Sequence, residues 1–118
     1  MSNVFIKRIY EAADKNDGFR ILIDRLWPRG ISKEKANVDA WFKETAPSSE
    51  LRKWFNHDPE KWKEFIRKYK DELRKSGAAD ELKSYIKKYK TITLLYAAHD
   101  TQYNNAVALQ SFIKHSFN

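Results

Sequence analysis

The feature that most constrains the fold is a short apolar run that charged residues follow at once. Ile21, Leu22 and Ile23 form the run, and this pattern predicts a strand that is buried on both faces. The next residues, 24–30, read Asp-Arg-Leu-Trp-Pro-Arg-Gly. Strands of this kind lie at the centre of α/β sheets, where ligands bind beyond the carboxyl ends of the strands. The sequence therefore predicts an α/β domain with a polar strand exit.

Two further apolar runs predict strands, at residues 4–9 and 91–96. The turn cluster at residues 14–18, Asp-Lys-Asn-Asp-Gly, separates the first strand from the second. This connection is long for a tight hairpin and short for a helical crossover, so the direction of the first strand stays open.

Apolar residues at helical spacing predict the helices. Ser32 is expected to cap a helix that Val38, Trp41 and Phe42 continue. Asp58 is expected to cap a longer one that Pro59 begins. Four predicted helices span residues 33–42, 59–75, 79–90 and 102–116, with Gly77 ending the helix at 59–75 and Asp100 or Thr101 capping the last. Ser48 or Ser49 is expected to cap a further, brief helix whose apolar face is Leu51, Trp54 and Phe55.

The order of these elements predicts a single α/β domain of residues 1–118, with a small, mostly parallel sheet of about three strands flanked by four to five helices. An aromatic content of 14% argues against disorder, although 33% of the residues are charged. The absence of cysteine excludes disulfides and thiolate chemistry. Neither a signal peptide nor a membrane-spanning apolar run is recognisable, so we expect a cytoplasmic protein with no membrane partner.

If the strands at Ile21 and Leu94 are parallel, their carboxyl ends share one edge of the sheet, and polar residues meet there. The candidate ligand-binding residues at this edge are Asp24, Arg25, Trp27, Arg29 and Asn104, and the candidate catalytic residues are His57, His99 and Asp100. Arginine binds phosphate and carboxylate groups bidentately, and histidine exchanges protons near neutral pH. The predicted partner is therefore an anionic, phosphate- or nucleotide-like small molecule, and the protein is either an enzyme or a binding protein.

Each candidate residue also has a structural interpretation. Asp24, Arg25 and Arg29 could instead form an ion pair that ties the strand exit to a helix, and the sequence leaves both readings open. Core packing beside a stiff turn is the favoured reading of Trp27. Asn104 could either bind a ligand or close hydrogen bonds at a helix end.

No metal or cofactor is expected. His57, His99 and His115 lack the spacing of zinc ligands, although Asp24 and Asp100 could hold Mg²⁺ together with a phosphate. Three glycines in the whole chain exclude a glycine-rich phosphate loop and a dinucleotide-binding motif.

Basic residues give the chain a net charge of +7 and crowd the two predicted helices at 59–75 and 79–90. Acidic residues lie among them, which is typical of a solvated helix face rather than a DNA-reading surface. Nucleic-acid binding is therefore the alternative function. An interaction module, marked by an exposed Trp41, Trp54 or Trp62, is a third. The sequence predicts no oligomeric state.

Two strings, Asp-Arg-Leu-Trp-Pro-Arg-Gly at residues 24–30 and Trp-Phe-Asn-His-Asp-Pro at residues 54–59, resemble the YeaO-like family, the group known as domain of unknown function 488. Lys-Arg-Ile-Tyr at 7–10, Ala-Pro-Ser at 46–48 and Leu-Leu-Tyr-Ala-Ala at 94–98 extend the resemblance over nearly the whole chain. The resemblance implies an α/β fold and no defined activity. Family members often carry lysine at the position of His99, which favours Arg25, Arg29, His57 and Asp100 as site residues.

Overall fold

The computed structural model describes residues 3–116 of the chain. In that range it has four strands: β1 (Asn3–Arg8), β2 (Phe19–Leu22), β3 (Ala40–Trp41) and β4 (Thr91–Tyr96). The helices in the same range are α1 (Lys33–Ala36), α2 (Ser49–Phe55), α3 (Trp62–Ser76), α4 (Ala78–Lys88) and α5 (Asn105–Ser116). The ends of the predicted domain, residues 1–2 and 117–118, lie outside the described residues.

The strands form a parallel sheet in the order β1-β4-β2-β3. The last strand in sequence therefore lies between the first two, so β1 and β2 are not neighbours. Ile21 pairs with Leu94, which confirms that these strands end at one edge of the sheet. The α/β fold and the predominantly parallel sheet are confirmed, and β3 is the strand that the sequence did not predict.

Side chains of the sheet alternate between two apolar layers, as the period of a strand requires. Ile92, Leu94 and Tyr96 pack under the helices α2–α5, in the larger layer. Leu95 faces the other way, with Leu22, into a smaller layer beside α1. The two layers cover both faces of the central strands β2 and β4, so a ligand can approach these strands at their polar ends.

The prediction that one helix continues from Ser32 to Phe42 is wrong. Ser32 does cap α1, but the helix stops at Ala36 because Asn37 takes a left-handed conformation with φ of 48°. Asp39 then exchanges hydrogen bonds with the backbone of Arg20, its N–H donating to the carbonyl and its carboxylate accepting from the N–H. This holds the chain against β2, so that Trp41 lies in a short strand instead of a helix.

The helix α3 agrees with the helix predicted for residues 59–75. Asp58 accepts the N–H of Glu60 (3.0 Å), and Pro59 begins a turn of 3₁₀ helix that leads into α3. Gly77 ends α3 in a left-handed conformation, φ 79°, which glycine adopts without steric cost. The predicted apolar stripe faces the core, with Phe65, Tyr69 and Leu73 buried.

The last helix begins three residues later than predicted. Asp100 accepts the N–H groups of Gln102 and Tyr103, which completes a separate turn before the helix. The carboxamide oxygen of Asn104 accepts the N–H of Val107 (2.9 Å), so Asn104 caps α5 instead of Asp100 or Thr101.

A buried polar cluster lies on the second face of the sheet, near the start of β2. We call Lys7, Asp17 and Arg20 the Asp17 cluster. Asp17 forms ion pairs with Arg20 and with Lys7, the latter at 3.2 Å. Gly18, with φ of 67°, allows the close approach of this turn to β4, since a β-carbon there would overlap the backbone of Thr91.

Candidate functional site

The polar residues at the carboxyl ends of β1, β2 and β4 form a continuous surface. We call it the strand-end rim. Its members are Arg8, Tyr10, Asp24, Arg29, His57, the segment 97–100, Asn104 and Asn105, which are linked by the contacts described below. Parallel strands bring these residues together although they lie up to about a hundred positions apart in the sequence.

Asp24 occupies the centre of the strand-end rim and takes its hydrogen bonds from neutral groups. Its carboxylate accepts the N–H of Ala97 (2.9 Å) and the side-chain amide of Asn105 (3.0 Å). Burial raises the pKa of Asp24 above its ordinary value, an effect that these two hydrogen bonds and the charge of Arg52 reduce. Asp24 thus fastens β2, β4 and α5 together at the point where they meet.

The ion-pair interpretation of Asp24, Arg25 and Arg29 is wrong. No ion pair among residues 3–116 includes any of the three. Arg25 donates through Nη2 to the carbonyl of Ala46 (3.2 Å), where it lines a cleft of about 400 Å³ with Glu72. Asp24 and Arg25 therefore have separate partners, although they are adjacent in the chain.

Arg8 is a member of the strand-end rim that the sequence reasoning missed. Its Nε donates to the carbonyl of Ala98 (2.9 Å) and its Nη2 to the carbonyl of Ala97 (3.2 Å). Its Nη1 has no acceptor within the described range. The signal was a basic residue at the exit of a predicted strand, the same signal that singled out Arg25.

Tyr10 and Arg29 extend the strand-end rim beyond Arg8. The guanidinium carbon of Arg8 lies 5.0 Å from the centroid of the Tyr10 ring. The Tyr10 hydroxyl donates to the backbone carbonyl of Arg29 (2.8 Å). Arg29 is exposed, and its side chain forms neither a hydrogen bond nor an ion pair with any residue from 3 to 116.

His99 and His57 approach the strand-end rim from two sides. The Nδ1 atom of His99 lies 3.5 Å from Nη2 of Arg8. Hydrogen bonds from the N–H groups of Tyr103 and Gln102 lower the pKa of the Asp100 carboxyl. His57, in a left-handed conformation with φ of 54°, lies near enough to lower that pKa further. The structure therefore places both predicted histidines here, one beside Arg8 and one beside Asp100.

The two asparagines of the last helix are used internally. Asn104 is buried and donates to the carbonyl of Asp100 (2.8 Å) while capping α5. Asn105 holds Asp24 and also reaches the carbonyl of Ile23 (3.4 Å). Asn104 was predicted either to bind a ligand or to close hydrogen bonds at a helix end, and in the structure it closes them.

Trp27 packs in the smaller apolar layer. Its indole N–H donates to the carbonyl of Ile31 (2.9 Å), and its ring meets Trp41 edge-on at 5.5 Å between centroids. The three tryptophans whose exposure would mark an interaction module are half-buried. Lysines lie over two of them: Lys43 is 4.1 Å from the Trp41 ring, and Lys68 is 4.5 Å from that of Trp54.

Residues 3–116 contain no group of three or more histidine, aspartate or glutamate side chains that could hold a metal ion. Within the same residues, no helix has both the length and the apolar character needed to cross a membrane.

A family model and two similar proteins all relate this chain to the same family. Residues 3–118 match a family model described as the inactive DUF488-N3 subclade. The uncharacterized protein YeaO of Escherichia coli K12 is 40% identical over 112 residues, which cover 95% of this chain and 97% of that protein. The uncharacterized protein Rv3073c of Mycobacterium tuberculosis is 46% identical over 82 residues, or 70% of each chain. No solved structure matches. The chain therefore belongs to the YeaO-like family of domain of unknown function 488.

Proposed function

We propose that this protein binds a small phosphate-bearing anion at the strand-end rim and does not transform it. The observation that carries this proposal is the state of Arg8. Two backbone carbonyls and an aromatic ring hold its guanidinium in place, while its Nη1 has no acceptor within residues 3–116. A guanidinium that is fixed before binding loses little conformational entropy when an anion arrives.

The distribution of charge along the strand-end rim supports an anionic ligand. The carboxylates of Asp24 and Asp100 accept hydrogen bonds from neutral amides, whereas Arg8 and Arg29 form no ion pair with any described carboxylate. Glu11 is the nearest acid along the chain, and its carboxylate accepts the backbone N–H of Arg8 instead of pairing with the guanidinium. The net charge of +7 adds a long-range attraction for anions.

Binding without turnover agrees with how the acids are used. Both acids at the strand-end rim hold the backbone: Asp24 accepts the N–H of Ala97, and Asp100 accepts the N–H groups of Gln102 and Tyr103 through Oδ1. This structural use accounts for both acids without a catalytic role. The family description, which calls the subclade inactive, supports the same reading. The catalytic roles predicted for His57, His99 and Asp100 stay predictions. In the proposed function the two histidines border the bound anion, and no cofactor takes part.

Isothermal titration calorimetry with inorganic phosphate tests the proposed function. We expect the wild-type protein to bind phosphate and Arg8→Gln to weaken binding by about tenfold or more, since a hydrogen bond to a charged group is lost. Arg67→Gln is the matched control. It removes the same charge from an exposed arginine of α3 that pairs with Glu64, and it should leave the affinity for phosphate unchanged.

A second variant, Arg29→Gln, keeps the test informative if Arg8→Gln misfolds. Arg8 bonds to the β4 exit, so its loss can disturb the strand-end rim, whereas Arg29 has no such contact among residues 3–116. Arg29→Gln should therefore weaken phosphate binding while leaving the unfolding temperature unchanged. Absence of phosphate binding by the wild-type protein, or equal binding by all three variants, would contradict the proposed function.

The alternative, nucleic-acid binding by the basic helices α3 and α4, makes a different prediction. Its affinity for a short DNA duplex would fall steeply between about 50 and 200 mM salt. Strong binding of this kind, unaffected by Arg8→Gln and reduced by Arg67→Gln, would favour the helices over the strand-end rim.

A further inference from the structure

Resting on the function proposed above, we propose that the anion is the phosphate of a nucleoside monophosphate and that Tyr10 is the surface on which its base stacks. Tyr10 follows Arg8 by two residues at the exit of β1. Neither the sequence patterns nor the family description gives Tyr10 a role. Its position would make it the residue that selects among phosphate-bearing molecules.

The Tyr10 ring is fixed in place yet exposed. Its hydroxyl donates to the carbonyl of Arg29, and the guanidinium of Arg8 lies over the ring. Nevertheless 42% of the residue is exposed. An aromatic ring that is held at its edge and on one face can accept a second planar group without first being ordered.

Few other apolar side chains in residues 3–116 are exposed in this way. Apart from Tyr10, the large exposed ones are Phe5 and Leu26. Phe5 is on β1 at an odd position, so it projects from the face of the sheet opposite to Arg8. Tyr10 is therefore the exposed aromatic side chain that contacts a guanidinium with no carboxylate partner among residues 3–116.

Stacking and anion binding together specify the ligand class. Every nucleobase has a flat π surface that stacks on an aromatic side chain, and guanidinium groups bind phosphate oxygens bidentately. The Tyr10 ring lies between the Arg8 guanidinium and the backbone of Arg29, so one ligand can reach the ring and a guanidinium at once. A phosphate that carries a sugar without a base would use the arginines and leave the ring bare.

The test compares AMP, ribose 5-phosphate and inorganic phosphate by isothermal titration calorimetry. We expect the wild-type protein to bind AMP about tenfold more tightly than ribose 5-phosphate, the gain that stacking one base provides. Tyr10→Leu should abolish this preference. Tyr10→Phe, which keeps the ring and loses the bond to Arg29, should retain most of it. Phe5→Leu, on the other face of β1, is the matched control and should leave the ratio of the two dissociation constants unchanged.

The outcomes separate this inference from the function on which it rests. Equal affinities for AMP and ribose 5-phosphate in the wild-type protein would overturn the role of Tyr10, while phosphate binding at Arg8 would stand. A preference for AMP that survives Tyr10→Leu would also overturn it. If none of the three compounds bound, both the inference and the proposed function would fail.

Discussion

The Asp17 cluster and the strand-end rim both bring arginines and carboxylates to the sheet, but they use the charges differently. In the Asp17 cluster, Arg20 is 2% exposed and pairs with Asp17, which also pairs with Lys7. Arg20 further donates to the carbonyls of Ala36 and Asn37. At the strand-end rim the carboxylates are bonded to amides, and the arginines have no carboxylate partner among the described residues.

This contrast separates a structural use of charge from one that leaves binding capacity. A buried charge must be paired, because leaving it unpaired costs several kcal/mol. Arg8 is half-buried, and two backbone carbonyls hold its guanidinium while Nη1 has no acceptor within residues 3–116. Its guanidinium therefore keeps binding capacity that the arginine of the Asp17 cluster does not have. The ion-pair interpretation that the sequence allowed for Asp24, Arg25 and Arg29 describes the Asp17 cluster instead.

The largest effect is expected from breaking the Asp17 cluster. Arg20→Met leaves the carboxylate of Asp17, which is 8% exposed, with Lys7 alone, and it removes the donors of two backbone carbonyls. Loss of one partner of a buried ion pair typically costs about 3–5 kcal/mol. Urea denaturation should show a loss of this size, and the exposed Arg67→Met should change the free energy of unfolding by less than about 0.5 kcal/mol. A similar small change for both would mean that the Asp17 cluster does not stabilise the fold.

The difference between the two regions also marks what the sequence could predict. Short apolar runs located β1, β2 and β4, and in the central strands β2 and β4 burial on both faces dictates this composition. β3 escaped prediction because its two residues owe their conformation to Asp39 bonding the backbone of Arg20. Such a contact between separate segments leaves no periodic signal.

Prediction of the site was less complete for a similar reason. Parallel strands that share an edge bring the exits of β2 and β4 together, where Asp24 accepts the N–H of Ala97. Adjacent residues on the chain, however, have different partners: Arg25 donates to Ala46, whereas Asp24 accepts from Ala97 and Asn105. Whether a polar side chain bonds to the backbone or remains accessible to a ligand depends on its partners in the folded chain. The sequence alone therefore could not distinguish Asn104, which caps a helix, from Arg29, which is exposed.

A smaller effect is expected at the strand-end rim from Asn104→Ala. The change removes the cap of α5 and the donor to the carbonyl of Asp100. Loss of a helix cap costs about 1–2 kcal/mol, so thermal unfolding should show a moderate decrease in stability. Asn104→Asp keeps the capping oxygen and should recover part of the loss. If Asn104→Ala weakened phosphate binding without destabilising the protein, Asn104 would belong with the binding residues instead.

The pH dependence of stability distinguishes half-buried Asp24 at the strand-end rim from buried Asp17 in the Asp17 cluster. Burial raises the pKa of Asp24, so the unfolded chain ionises first as the pH rises above 3.8 and the native state loses stability. For Asp17, burial alone would raise the pKa, but hydrogen bonds from Asp14, Lys7 and Arg20 outweigh it and lower the pKa. Its stabilisation is therefore present above 3.8 and is lost as the pH falls through the native pKa.

Comparison of Asp24→Asn with the wild-type protein isolates the first of these effects. Asp17 is common to both proteins and cancels in the difference. As the pH rises from about 3 to 7, the free energy of unfolding of Asp24→Asn should increase relative to that of the wild-type protein. Urea denaturation at several pH values measures it. A difference that stays constant, or that moves towards the wild-type protein, would show that Asp24 is stabilised as the carboxylate, as Asp17 is.

The smallest effect on stability is expected for Arg29→Gln. Its side chain has no hydrogen bond or ion pair within residues 3–116, and only its backbone carbonyl, which a substitution retains, is bonded by Tyr10. The free energy of unfolding should therefore change by less than about 0.5 kcal/mol, although Arg20→Met, which removes the same charge from the Asp17 cluster, has the largest effect. Urea denaturation of the two variants side by side makes this comparison. A loss above about 1 kcal/mol for Arg29→Gln would mean that its guanidinium has a structural partner. The charged side chains of the strand-end rim would then stabilise the fold, as those of the Asp17 cluster do.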